Sequence, residues 1–507
     1  MTKKIESVET LLGLHGPMLT SDISEIYRDQ GLSASAARQR VSRRSDVVKT
    51  LHGLPFPKNA KFIYLEGSFG DQNFINALIK KLEETSPAYS SAMSGLTSRQ
   101  GICLRDNWDV ISGSPVLQKG HISSERILTR LKSVKLLSEA SVAGVGDCVI
   151  FAENVASPTN YSAFRARLTL EHILIDIVKD WAVRMGYSST NTIATRNGAT
   201  LPKFSTHCFD IVGPSYLHSL TKKKPDSLQN GFFVADIIWQ DDLNKTGVSG
   251  FLRKVTTLSS LRNLGRFQSM LISNSFTKDA LMSCRSKGVM AVTPDTLLGR
   301  DVSQALLELL DTLERAAAVA IKNPEKIQTI FEKLSIITGL SGNLRGALFE
   351  MVVGNMVKAL HAGSIDIGEI VTDPSSREKA EIDVRLVKQD AIICYECKGY
   401  ASHRQVTLDE VKYWLEKQVP IIRASQKYEQ RLNNKDSIFE FWTTGSFEDD
   451  ALKYLDERKQ NINKYEINWR NGEYVLKESK RLNTNTITKI LKTHYFNQTT
   501  NAVLGIV

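Results

Sequence analysis

The sequence predicts a multidomain α/β protein, and three observations carry that reading. At 507 residues the chain is several times longer than a domain of roughly 100–200 residues. Strand-length apolar runs alternate with helical periodicity in two separate regions, 209–300 and 381–476. The stretch from Glu381 to Tyr400 sets two apolar runs about a polar Lys388-Gln389-Asp390 turn, the pattern of a β-hairpin.

Taken in order, residues 5–14 read as a short amphipathic helix. A second follows from Leu19 and stops at Gly31, and Ser33 opens a third that runs through Lys49. The segment Leu54–Leu65 reads as a β-ribbon with a polar tip. Three helices and a ribbon over 1–70 resemble a winged helix-turn-helix. The third helix carries Arg38, Arg40, Arg43 and Arg44 behind the small residues Ser35, Ala36 and Ala37. Small residues let a helix approach a groove floor, and arginines reach guanine edges or phosphates. Lys58 and Lys61 at the ribbon tip add phosphate contacts. A solvated basic face is the competing reading of the same arginines. Residues 71–158 repeat the theme less clearly. A helix over Phe74–Glu84, a basic one from Ser123 with Arg126, Arg130, Lys132 and Lys135, and a strand over Gly144–Phe151 are expected. DNA contact and protein packing both remain open for that module.

Residues 159–322 begin with a long helix, Phe164–Arg184, that contains Glu171. A strand starting at Phe209-Asp210, a buried strand over Gly231–Trp239 and a strand-helix-strand run from Ser269 follow. Asp301–Lys322 reads as an amphipathic spacer helix broken at Asn323-Pro324.

The last interval, 323–507, holds the chemistry. Leu344–Leu360 is apolar at helical spacing yet includes Glu350. Asp383 heads the first strand of the hairpin, and Glu396 and Lys398 end the second. Two residues apart on a strand, these last two project from one face. Charged residues in so apolar a strand need partners or a task. Helices over Leu408–Gln418 and Phe447–Glu457, with strand material at Ile438–Thr443 and Tyr465–Leu476, complete an α/β continuation. The order Glu350, Asp383, Glu396-Cys397-Lys398 resembles the active site of the PD-(D/E)XK, or restriction-endonuclease-like, nucleases. Ile382 stands where the family name has proline. The resemblance implies Mg²⁺, with Mn²⁺ as substitute, held by Asp383, Glu396 and Glu350, while Lys398 orients the attacking water or neutralises the phosphate. His403, Arg404 and Lys412 lie just past the triplet, where phosphates would pass, and ordinary solvated charge is the competing reading of the three.

With that site in hand, 159–322 reads as a diverged repeat of the nuclease fold. It has Asp236-Ile237-Ile238 in place of Glu-Cys-Lys, so its lysine is missing and it is expected to be catalytically silent. Composition agrees with a polyanionic partner, with 65 Lys and Arg against 55 acids and a formal charge of +10. The six cysteines show no disulfide or zinc spacing, and Cys394 and Cys397, three apart on a strand, face opposite sides. The N-terminal stretch has acids where a signal peptide is apolar, and no apolar run approaches the roughly 18 residues of a spanning helix. A cytoplasmic protein is therefore expected, and the resemblance implies an Mg²⁺-dependent endonuclease acting on double-stranded DNA in prokaryotic restriction or anti-phage defence, as a homodimer or with a defence-system partner protein. The alternative is a DNA-binding regulator or assembly subunit that keeps the nuclease fold as a scaffold.

Overall fold

The computed structural model describes residues 6–142, 145–153, 155, 161–223, 228–261, 264–315, 328–330, 342–400, 404–483 and 485–496. The chain forms two compact units. One comprises Met1–Ala140, Asp147–Asn160 and Trp181–Thr293, and the other Ser141–Gly146, Tyr161–Asp180 and Pro294–Val507. Both mix helices and strands. Packing and not chain order defines a core, so the long helix expected to open the third interval is grouped, over Tyr161–Asp180, with the C-terminal segment.

The first unit begins with helices α1 (Val8–His15), α2 (Thr20–Asp29) and α3 (Ala34–Ser42), and strands β1 (Met18–Leu19), β2 (Val48–Leu51) and β3 (Phe62–Leu65) in the order β1-β3-β2. Ser7 and Ser33 cap α1 and α3 through the N–H groups of Thr10 and Ala36. Leu11, Ile23, Tyr27, Ala37, Val41 and Ile63 form their common core. The ribbon differs from expectation: its strands are β2 and β3, and 57–59 is a 3₁₀ turn. Pro55 and Pro57 have no N–H to give a ladder, which pushes the strand back to Val48. A second helical group, α4 (Gln72–Thr85), α5 (Pro87–Thr97), α6 (Trp108–Ile111) and α7 (Ser124–Ser133), accompanies a sheet of β4 (Ile102–Leu104), β5 (Leu137–Val142) and β6 (Gly146–Phe151) in the order β4-β6-β5.

The remainder of the first unit is α/β. Strands β7 (Ala194–Thr195), β10 (Ile211–Ser215), β13 (Gly231–Ile237), β14 (Phe267–Ile272) and β15 (Met290–Val292) form one sheet in the order β7-β10-β13-β14-β15. Two short hairpins, β8 (Lys203–Phe204) with β9 (His207–Cys208) and β11 (Lys222–Lys223) with β12 (Leu228–Gln229), lie outside it. β10 runs antiparallel to β7 and β13, whereas β13, β14 and β15 are parallel. Parallel neighbours need crossovers, and α9 (Lys245–Ser259) and α10 (Lys278–Ser286) supply them.

The second unit contains the first twenty residues of α8 (Tyr161–Arg184), then α11 (Pro294–Leu298), α12 (Arg300–Glu314) and α13 (Gly342–Leu360). The helix break expected at Asn323-Pro324 lies outside the described residues. Its sheet orders β16 (Ser364–Thr372), β17 (Lys379–Val387), β18 (Ala391–Lys398), β20 (Asp436–Thr443) and β22 (Glu466–Arg470) as β16-β17-β18-β20-β22. β16, β17 and β18 are antiparallel, and β18, β20 and β22 parallel. Strand for strand this is the order and direction of the first unit's sheet. The crossovers are α14 (Leu408–Tyr413), widened by a π turn over 414–418 into α15 (Val419–Tyr428), and then α16 (Asp449–Asn461). β19 (Gln405–Val406) and β21 (Ser446–Phe447) pair beside them, and α17 (Gly472–Ser479) and α18 (Thr486–Leu491) follow the sheet. α17 replaces the strand material expected through Leu476, because the Asn471 side chain accepts from Tyr474 N and starts a helix.

Candidate active site

The expected hairpin is present, turning at 388–390. Its paired register runs from Val387↔Ile392 to Val384↔Tyr395. At the next position the Asp383 side chain takes over from the backbone, its Oδ2 accepting from Cys397 N at 2.7 Å. Two residues earlier on β17, Glu381 points the same way by strand alternation. Glu350 arrives from α13. Gly399 allows that approach: a Cβ there would lie 2.5 Å from Arg345 O and 2.6 Å from Phe349 Cβ. Carboxylate oxygens of Glu350, Glu381 and Asp383 all lie within 4.8 Å of one another. At the end of β18, Lys398 Nζ donates to Glu396 Oε1 at 2.7 Å.

Electrostatically the site is short of positive charge. Among the described residues its four acids, Glu350, Glu381, Asp383 and Glu396, meet two cations, Lys398 on Glu396 and Arg165 of α8 in an ion pair with Glu381. Glu381, Asp383 and Glu396 are buried, whereas about a third of the Lys398 side chain is exposed. Burial, then the charge of Glu350, pushes the Asp383 carboxyl up to about 6 against the pull of Lys398, Cys397 N and Arg165. Burial, with Asp383 adding to it and Lys398 opposing, raises Glu396 to about 7. Glu350 is raised by burial and Glu396. Burial alone would lower the Lys398 ammonium, but Glu396 and Asp383 outweigh it and hold it above its usual value. Crowded carboxylates of this kind are relieved by a cation.

The first unit repeats the arrangement with a different outcome. The β10–β13 register ends at Ile211↔Ala235. Beyond it, Asp210 Oδ2 accepts from Ile237 N at 2.7 Å, and Asp236 Oδ1 accepts from Asp210 N at 3.0 Å. Asp210 and Ile237 thus stand as Asp383 and Cys397 do. Here, however, Arg196 pairs with Asp210 at 3.2 Å and Lys254 with Asp236 at 2.6 Å, all four groups being buried. Ile238 stands at the place of the triplet's lysine, and α9 delivers a different lysine, Lys254, from a position no strand motif marks. Two acids balanced by two cations leave nothing for a metal to neutralise. Glu171 of the long helix belongs to the other unit, where it faces Arg167.

Of the sequence-predicted residues, the structure gathers Glu350, Asp383, Glu396 and Lys398 at one strand end. The three-carboxylate group nevertheless differs from the expected metal set: Glu381 joins Glu350 and Asp383, and Glu396 is turned to Lys398. Period-two alternation from Asp383 would have found Glu381. Arg165 carries no local signal. Among the expected DNA contacts, Arg38, Arg43, Lys58 and Lys61 are exposed. Arg40 lies 5.4 Å from the Tyr27 ring centroid and Arg44 donates to Thr50 Oγ1 at 2.9 Å, so both lean on their own domain. Because α3 ends at Ser42, Arg43 is its C-cap and Arg44 lies beyond it. Arg404 stacks on Tyr400 at 4.0 Å and pairs with Glu410 at 3.7 Å, Lys412 lies over Tyr454, and His403 falls outside the described residues. No family model, curated protein or solved structure matches this chain. Among the described residues no helix is long and apolar enough to cross a membrane.

Proposed function

We propose that the second unit is a metal-dependent nuclease site of the PD-(D/E)XK kind, acting on double-stranded DNA. The observation that carries this is the contrast between two sheets of identical strand order. One closes its strand-end acids with Arg196 and Lys254, and the other sets Glu350, Glu381, Asp383 and Glu396 against Arg165 and Lys398 among the described residues. Carboxylates crowded this closely shed their repulsion either by taking up protons, the direction in which Glu350, Asp383 and Glu396 are shifted, or by binding a cation. Glu350 and Asp383 would hold Mg²⁺ or its substitute Mn²⁺, with Glu396 alongside. The ion would supply a Lewis acid for the phosphate and an acidified water as nucleophile.

The chain's own groups divide the remaining work. Asp383 uses one oxygen on Cys397 N, which fixes its carboxylate plane. Glu396 holds Lys398 by one of the three donors of the ammonium, so the others are available to a phosphate oxygen or the attacking water. Exposed Arg38, Arg43, Lys58 and Lys61 on a three-helix-and-ribbon module suit a duplex backbone. The closed site of the first unit would be a silent scaffold. A role in restriction or anti-phage defence, as a homodimer or beside a partner protein, follows from joining such a module to a nuclease. Incubation of the full chain with plasmid, linear and single-stranded DNA, in Mg²⁺ and in EDTA, tests the reading through chelator-sensitive cleavage.

A further inference from the structure

Helix α8 meets the catalytic hairpin along one face. Tyr161 and Arg165, four apart on the helix, meet Lys379 and Glu381, two apart on β17. The Lys379 ammonium lies 4.9 Å from the Tyr161 ring centroid and the Arg165 guanidinium pairs with Glu381. A second Arg165 nitrogen donates to Gly368 O at 3.1 Å. Gly368 interrupts β16 between the pairs Ile367↔Val384 and Glu369↔Ile382, so it lies at the level of Asp383. Its φ of +67° suits glycine, and a Cβ there would come within 3.1 Å of Arg165 Nη1. Gly368 therefore forms a socket for a planar, forked cation, a shape that lysine does not reproduce.

Resting on the nuclease reading above, we infer that Glu381 is a third metal-binding carboxylate and that Arg165 is its positioning residue. The nuclease site is then discontinuous in sequence, completed by residues 161–180 from roughly two hundred positions upstream. Arg165 holds one side of the Glu381 carboxylate and the β16 backbone beside Asp383, and so turns Glu381 toward Glu350 and Asp383. A merely electrostatic Arg165 would act in the opposite sense, since removing a positive charge would tighten cation binding.

The test is a double-mutant cycle on the full chain, read by calorimetric Mn²⁺ binding and not by cleavage, with melting monitored throughout. Glu381→Gln is expected to weaken Mn²⁺ binding by about tenfold to a hundredfold and Arg165→Ala by about tenfold, as supporting groups at metal sites do. The double variant is expected to bind no more weakly than Glu381→Gln alone, because Arg165 acts through Glu381. Arg165→Lys, which keeps the charge and loses the fork, replaces Arg165→Ala in the cycle if the alanine variant does not fold. Wild-type affinity in Glu381→Gln, tighter binding in the Arg165 variant, or additive losses in the double variant would each overturn the inference while leaving the nuclease reading intact. Absence of Mn²⁺ binding by the wild type would overturn both.

Discussion

Gly399→Ala isolates how the fold aims Glu350. The added Cβ would sit 2.5 Å from Arg345 O and 2.6 Å from Phe349 Cβ, where ordinary contact begins at 3.4 Å. Both neighbours belong to α13, one of them backbone, so relief requires the helix to move away from the end of β18 by about 0.9 Å, the difference between 3.4 and 2.5 Å. Glu350, the residue after Phe349, moves with it. Overpacking of this kind costs about 1–3 kcal/mol of stability. A displacement of about 1 Å at a catalytic group can cost about 10²-fold in rate. The variant should therefore remain folded, melt a few degrees lower, bind Mn²⁺ more weakly and cleave DNA about a hundred times more slowly. Rates of supercoiled plasmid loss, measured beside calorimetric Mn²⁺ titration, read both effects. A folded Gly399→Ala protein with wild-type Mn²⁺ affinity and cleavage would refute the claim that this close approach positions Glu350.

Two further outcomes follow from the first unit. Lys254→Met leaves the buried Asp236 without its cation, and removing one partner of such a pair costs about 3–5 kcal/mol. Calorimetry should show a lowered transition while cleavage below that transition stays within a few-fold of wild type; lost cleavage with unchanged melting would mean that this site works. Replacing the exposed Arg38 and Arg43 by alanine should weaken duplex binding and reduce the slope of log affinity against log salt by about 0.9 for each lost phosphate contact, whereas an unchanged slope would remove α3 from the DNA-binding surface.

The parts of the fold legible in the sequence are those in which local chemistry decides. Ser33 and Gly31 mark helix ends, and the 388–390 turn between two apolar runs becomes the β17–β18 hairpin. The repeat of strand order is legible because the strand from Ser269 and the helix start after Ser275-Phe276-Thr277 follow the same order as the strand from Glu440 and the helix start after Ser446-Phe447. What was not legible depends on distant partners. Arg165 meets Glu381 across more than two hundred residues, and Lys254 reaches Asp236 from a crossover helix, so no spacing in the sequence announces either. The ribbon expected over Leu54–Leu65 starts instead at Val48, because the prolines within Leu54–Pro57 exclude a strand there. The small residues and arginines of the third helix suggest groove contacts for Arg40 and Arg44, but their contacts with Tyr27 and Thr50 are set by the fold and carry no signal in the sequence.

The central claim is that the open, acid-rich strand end of the second unit is the working nuclease site. Its most direct test compares wild type and Lys398→Ala on double-stranded DNA, in Mg²⁺ and in EDTA, with Mn²⁺ binding measured in parallel. The account predicts EDTA-sensitive cleavage by the wild type, and a Lys398→Ala protein that is folded, still binds Mn²⁺ and does not cut. Cleavage by that variant at a rate near wild type would contradict the account.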